Sequence, residues 1–358
     1  MIKVIKNRYI KLAKNENNKQ LKQLPQFNFG FAILKNILSF SVIISHCFNN
    51  NTTRDNIILF ITKRRRIHVP SFFILSFYFN YNTLVSSDCK KKIERIIRLL
   101  IPFIGWPIIV FVFCNYNSTY KKNPKLTSFD VLKEQIFTGQ GQELFHFWYL
   151  FCLIATTLLF LIIIIIFRKW HLFVLNLLLI FSYYLQYSYN YKKLLPYYHN
   201  IEGLRRAHDL FPFAVMGFNL KAFNILKILE KYKFNTFVIC ALIYNFTEDY
   251  EIFRKISGIS YFGIKLNVLS ICTVIIFSLF PSNKIKNKYL ITILKLITNC
   301  SGGIFYLHQA VQFFFRPYYK DIRHGTFKGM ILIYFISYII SLVGSTIFTK
   351  TKLKFLFS

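Results

Sequence analysis

Long apolar runs alternate with short lysine- and asparagine-rich segments along almost the whole chain. A helix needs about 20 mostly apolar residues to cross the hydrocarbon core of a bilayer. Backbone polar groups in lipid must be paired within the segment, and this selects helices. Ten segments fit: 30–48, 67–86, 96–114, 144–167, 170–189, 209–228, 235–247, 259–280, 299–317 and 328–349. The clearest is the fourth, with its run LLFLIIIIIF; the seventh is short. Residues 284–297 have an amphipathic pattern and are expected on the surface. No connecting segment is long enough for a separate soluble domain, and the pattern shows no internal repeat. The expected fold is all-α, a polytopic transmembrane helix bundle of about ten spans with both termini cytoplasmic. Residues 1–29 and 351–358 are expected as cytosolic tails around a membrane domain at 30–350.

Composition strengthens this picture. Of 358 residues, 54% are hydrophobic, 19% aromatic and 17% charged, against about 25% charged in soluble domains. A disordered chain needs low hydrophobicity and high charge. An ordinary soluble enzyme could not cover 42 phenylalanines with so little polar surface. The formal net charge is +32, which in a soluble protein would suggest nucleic acid. Here the charges punctuate apolar runs and build no single basic face, so no nucleic-acid partner is expected. The seven cysteines are scattered, with no C-x-x-C, which argues against a disulfide framework or a zinc site. Residues 1–29 are polar and lysine-rich throughout, unlike a signal peptide, and suit the surface of anionic membrane lipid. With the N-terminus inside, the inner segments carry 25 Lys+Arg and the outer ones 18, a modest bias in the expected direction. The cluster Lys63-Arg64-Arg65-Arg66 runs against it.

The first span, GFAILKNILSFSVIISHCF, holds two ionisable residues, Lys35 and His46. Charges at membrane depth cost several kcal/mol and usually face a protein cavity. Eleven residues at 100° each bring the two within about 20° of one stripe, separated by about 16 Å along the axis. Ser39 shares that stripe. A basic group near one leaflet and an imidazole near the other could line one polar conduit. Alternatively, Lys35 snorkels to the inner interface and His46 closes the outer end of the helix. Imidazole can take a proton from an attacking hydroxyl at neutral pH or carry an acyl group transiently. Neither a Ser-His-Asp arrangement nor a metal-ligand cluster can be read from the chain.

A basic residue, ten intervening positions and a histidine in the first span resemble the opening motif of the acyltransferase 3 family, with Lys35 where the family usually has arginine. Further segments follow in the family's order. Val69-Pro70-Ser71-Phe72-Phe73-Ile74-Leu75-Ser76-Phe77-Tyr78 resembles its VPxFFxxSGF/Y segment, with Phe77 in the glycine position. KKKIERIIRLLIPFIGW is similar to its basic loop running into a helix, with Arg95, Arg98 and Pro102 in place. His146-Phe147-Trp148-Tyr149-Leu150, Phe211-Pro212-Phe213 with Met216-Gly217, and Ser301 with Tyr306-Leu307-His308-Gln309 resemble its later motifs. The resemblance covers roughly 28–350.

What the resemblance implies is a multi-pass protein of the cell membrane. Such a protein moves an acyl group, most often acetyl, from cytosolic acyl-CoA to a hydroxyl of a cell-surface or capsular glycan, free or lipid-linked. Acyl-CoA is then a co-substrate, with no permanently bound cofactor and no metal. His46 matches the family's essential histidine, as general base or acyl relay, and Lys35 its basic partner. Arg95 and Arg98 share a helical face and suit CoA phosphates, although a basic loop beside a span is also plain positive-inside anchoring. Trp148 and His146 lie near the outer end of the fourth span, where a sugar could bind, or where an interfacial tryptophan and a solvated helix end would sit. The loop 197–209, with Arg205, Arg206 and His208, suits a glycan or an ordinary interface. His308 suits a contact to another helix. A polysaccharide flippase or a glycan polymerase would share the spans and aromatics. The first would be expected to show an internal repeat, and the second a large outer loop. The acyl group, the sugar and the oligomeric state stay open at this level.

Overall fold

The structure, a computed structural model, describes residues 28–47, 67–116, 128–138, 148–187, 202–249, 264–280 and 288–357. Every regular element among them is helical. These are α1 (Phe29–Cys47), α2 (His68–Val85), α3 (Cys89–Tyr116), α4 (Phe129–Thr138), α5 (Trp148–Phe167), α6 (His171–Tyr187) and α7 (Glu202–Ala222). They continue with α8 (Ile225–Lys231), α9 (Lys233–Asp249), α10 (Ile264–Ser278), α11 (Lys288–Phe315), α12 (Lys320–His324) and α13 (Phe327–Ile347). Short 3-10 turns occupy Arg168–Trp170 and Lys352–Leu356.

The described residues of each of the ten apolar runs overlap a helix, the run 209–228 being divided between α7 and α8. By length and composition, five described stretches can cross a membrane: Phe29–His46, Cys89–Tyr116, Trp148–Leu185, Tyr289–Phe315 and Phe327–Ile347. The α7–α8 pair, bent by 62°, would make a sixth. The fold class is therefore the expected one, while the count of about ten spans is not reached on these criteria. The stretch Trp148–Leu185 is not one straight rod. Ala155 and Leu159 of α5 and Leu178 and Phe181 of α6 line a single cavity, although Ala155 and Phe181 would be about 39 Å apart in a continuous helix. The chain folds back at Arg168–Trp170, where Arg168 adopts φ 34°.

Three expected boundaries are corrected. Residues 288–297 lie on the surface as expected but are not a separate piece, because α11 runs unbroken from Lys288 through Phe315; residues 284–287 lie outside the described residues. Its 28 residues span about 42 Å, more than the roughly 30 Å of hydrocarbon, so one end projects beyond it. Helix α3 likewise begins at Cys89, well before the apolar run. The expected loop 197–209 is helical from Glu202 onward; residues 197–201 lie outside the described residues. Helix α7 ends at Ala222, and Asn224, with φ of 51°, breaks the axis before α8, a conformation asparagine tolerates better than most residues.

Helix α2 is central. It packs along α7 and also touches α1, α3, α5 and α10. Gly217 lets α7 approach closely: a Cβ there would lie 2.8 Å from the carbonyl carbon of Ile74. Phe77, in the position where the resembled pattern has glycine, instead packs its ring 4.6 Å from that of Phe160. Helix α1 is wedged among α2, α10, α11 and α13. Ile162, Ile165, Ile166, Phe181 and Ile347 are exposed. Apolar patches of this kind are rare on soluble monomers and suit contact with lipid.

Candidate active site

A cavity of about 570 Å³ opens between α1, α2, α3, α5, α11 and α13. Among the described residues four cations line it, Lys35, Arg95, Arg98 and Lys354, and no carboxylate does. Two cations about 10 Å apart repel by roughly 1.7 kcal/mol at an effective dielectric of about 20. Four around one cavity therefore favour a multiply charged anion.

Each cation is held differently. Lys35 lies on α1 with its ammonium 4.6 Å from the centre of the Phe79 ring. Ser39, one turn on, donates to the carbonyls of Lys35 at 2.9 Å and Ser301 at 3.2 Å, pinning α1 to α11 at this level. Arg95 on α3 donates from Nη2 to the Ser76 hydroxyl of α2 at 2.7 Å. Arg98, one turn further along α3, is exposed and donates to Glu94 at 2.6 Å. Lys354 comes from the 3-10 turn after α13.

His46 does not line this cavity. It faces His308 of α11, with ring centres 5.4 Å apart. His308 is fully buried, and its Nδ1 lies 2.7 Å from the carbonyl of Phe305. A carbonyl only accepts, so Nδ1 carries the proton in that bond. Phe305 links the two regions, lining the cavity and lying 6.1 Å from the His308 ring. Phe72, Tyr149 and Phe305 interlock there, with ring centres 6.4, 6.0 and 4.8 Å apart. They form an aromatic partition at the cavity's edge beside the imidazole pair. The stripe read from the sequence thus serves two neighbouring places, a cationic cavity at Lys35 and an imidazole pair at His46.

Of the residues expected near the acceptor, Trp148 and Arg206 come together. The Arg206 guanidinium carbon sits 4.6 Å from the Trp148 ring centre. Trp148 is buried and Arg206 half-buried. Arg205 is half-buried on the same turn of α7. Next to them Asp209 is buried, 3.9 Å from His208 Nδ1, while His208 Nε2 is 3.2 Å from the Ser182 hydroxyl. His208 and Ser182 also line a second, mostly apolar cavity of about 390 Å³. His146 lies outside the described residues.

Sequence reasoning gave no binding role to Ser76 or to the cavity positions Tyr149, Tyr306 and Lys354. It also missed the buried Asp209. Among the described residues no group of three or more metal-ligating side chains occurs.

Comparison with known proteins places the chain. A family profile described as an acyltransferase domain, that of acyltransferase 3, matches residues 28–350. No curated protein and no solved structure matches the chain. A match over nearly the whole length joins the cationic cavity, the buried imidazoles and the lipid-facing helices in one assignment: the chain belongs to the acyltransferase 3 family of integral-membrane acyltransferases.

Proposed function

We propose that this protein takes an acyl group, in the first instance acetyl, from cytosolic acyl-CoA and transfers it to a hydroxyl of a cell-surface glycan at the cell membrane. The observation that carries the reading is the cavity lined by Lys35, Arg95, Arg98 and Lys354, with no carboxylate among its described lining residues. Acyl-CoA is a thioester that carries its negative charge on phosphates, and guanidinium groups bind phosphate through charge-assisted hydrogen bonds. In this reading Arg95 and Arg98 hold phosphates and Lys35 stands closer to the thioester. His46 is the general base. It takes the proton from the acceptor hydroxyl as the oxygen attacks the thioester carbonyl. The C–S bond then breaks, the acyl group stays on the oxygen as an ester, and the thiolate of CoA takes up a proton. Trp148, Arg205 and Arg206 fit the acceptor, since an aromatic face and forked donors suit a sugar.

The test is a mass-spectrometric comparison of the surface glycan from cells with and without the protein. Loss of an ester mass is expected without it, and the same loss from His46→Ala cells in which the variant is inserted in normal amount. Full acylation in the His46→Ala cells would remove the histidine from the chemistry. An unchanged glycan in cells lacking the protein would remove the acceptor assignment.

A further inference from the structure

The cationic cavity is completed by residues to which no motif points. Lys354 and Phe355, from the 3-10 turn Lys352–Leu356, line it beside Arg98. This turn is built into the bundle. The indole N–H of Trp106 on α3 donates to the Leu356 carbonyl at 2.8 Å, and the Ser341 hydroxyl on α13 donates to the Phe357 carbonyl. Phe357 stacks on Phe348 with ring centres 5.6 Å apart. Glycines on three helices leave room for it. A Cβ on Gly105 would lie 2.6 Å from Leu356 Cδ2, and one on Gly303 or Gly344 would collide with Phe357. Phe355 is only 5% exposed, and the Arg98 guanidinium carbon sits 5.1 Å from its ring centre. Arg98 also gives part of its charge to Glu94, whereas Lys354, half-buried, keeps its ammonium 5.2 Å from the same ring.

We propose that Lys354 and Arg98, on a floor made by Phe355, form the subsite for the terminal ribose phosphate of the donor. This rests on the acyl-CoA reading above. A coenzyme A thioester keeps its phosphates at one end and its reactive carbonyl at the other. Stripping a phosphate of water is costly, so the most charged end belongs where Arg98 and Lys354 are still partly exposed. The diphosphate then lies at Arg95, and the neutral pantetheine arm points inward, toward Lys35 and the aromatic partition. The turn after α13 is thereby part of the donor site.

The experiment uses the full chain in phospholipid nanodiscs and measures binding of CoA, 3′-dephospho-CoA and pantetheine by calorimetry. Wild-type protein should bind CoA more tightly than dephospho-CoA. Lys354→Gln should weaken CoA about tenfold, the loss of one charge-assisted contact, leave dephospho-CoA within about twofold, and keep the wild-type thermal midpoint. Lys354→Arg should restore the preference for CoA. Wild-type affinity for CoA in Lys354→Gln would overturn the subsite alone, as would an equal loss for all three ligands. A wild-type protein that binds no CoA would overturn both the subsite and the donor reading.

Discussion

A cation inside a membrane helix is expensive unless something receives it, and the two on α1 and α3 are received in different ways. Lys35 rests on the face of Phe79, a contact worth about 0.5–2 kcal/mol depending on how dry the site is. Arg95 is aimed by Ser76. The Lys35→Arg variant should keep or raise acyl-transfer activity at saturating donor, because a forked guanidinium can replace a point charge above a ring. A sharp fall would mean that the compact ammonium is itself required. Ser76→Ala should raise the donor KM about tenfold, the equivalent of a hydrogen bond to a charged group of about 1.5 kcal/mol; an unchanged KM would show that Arg95 needs no aiming. Lys35 and His46 were legible because ionisable residues stand out in an apolar span. Arg95 and Arg98 were legible through the resemblance. Ser76 was not, since a helical serine is ordinarily satisfied by a carbonyl of its own preceding turn and its actual partner lies 19 positions away. Lys354 was hidden for another reason: a lysine just after the last span looks like an ordinary anchor.

At the level of helices, hydrophobic runs located all the described α-helices except the short α4 and α12, but misjudged several ends. Hydropathy falls where a helix leaves the hydrocarbon, whereas its backbone hydrogen bonding does not. The amphipathic start of α11 and the lysine-rich start of α3 therefore belong to the same helices as the runs that follow them. Arg205, Arg206 and His208 made the first two turns of α7 resemble a loop for the same reason. Pairings between helices were not legible at all. Asn176 on α6 and Asn219 on α7 exchange side-chain hydrogen bonds of 2.8 and 3.5 Å, 43 positions apart. Such contacts between membrane helices are worth about 0.6–1.7 kcal/mol. Asn219→Leu alone should destabilise the protein by about 1 kcal/mol in reversible unfolding from micelles. Converting Asn176→Leu as well should recover part of that loss, because the Asn176 carbonyl oxygen, which accepts from Asn219, is then no longer left without a donor. Equal stability of wild type and single variant would mean that the pair carries no weight.

For the molecule as a whole, the cationic cavity fixes a direction. If donor arrives from the cytosol, the start of α3 faces inward. Cys89 lies there and is the exposed cysteine among the described free ones, the rest being buried. A membrane-impermeant maleimide should label Cys89 in inside-out vesicles and leave it unlabelled in intact cells, with Cys89→Ser as the control for specificity. The reverse pattern would invert the bundle and place the cavity outside. Lysine and arginine counts alone, with the basic cluster at 63–66 on the wrong side, could not decide this firmly. The interlocked rings of Phe72, Tyr149 and Phe305 bear on the energetics of the host. A bilayer that stores an ion gradient tolerates a polar vestibule only where no water wire joins its two faces. The packed aromatic faces beside the imidazoles narrow the path such a wire would need, which favours the electrical insulation of the membrane at that level.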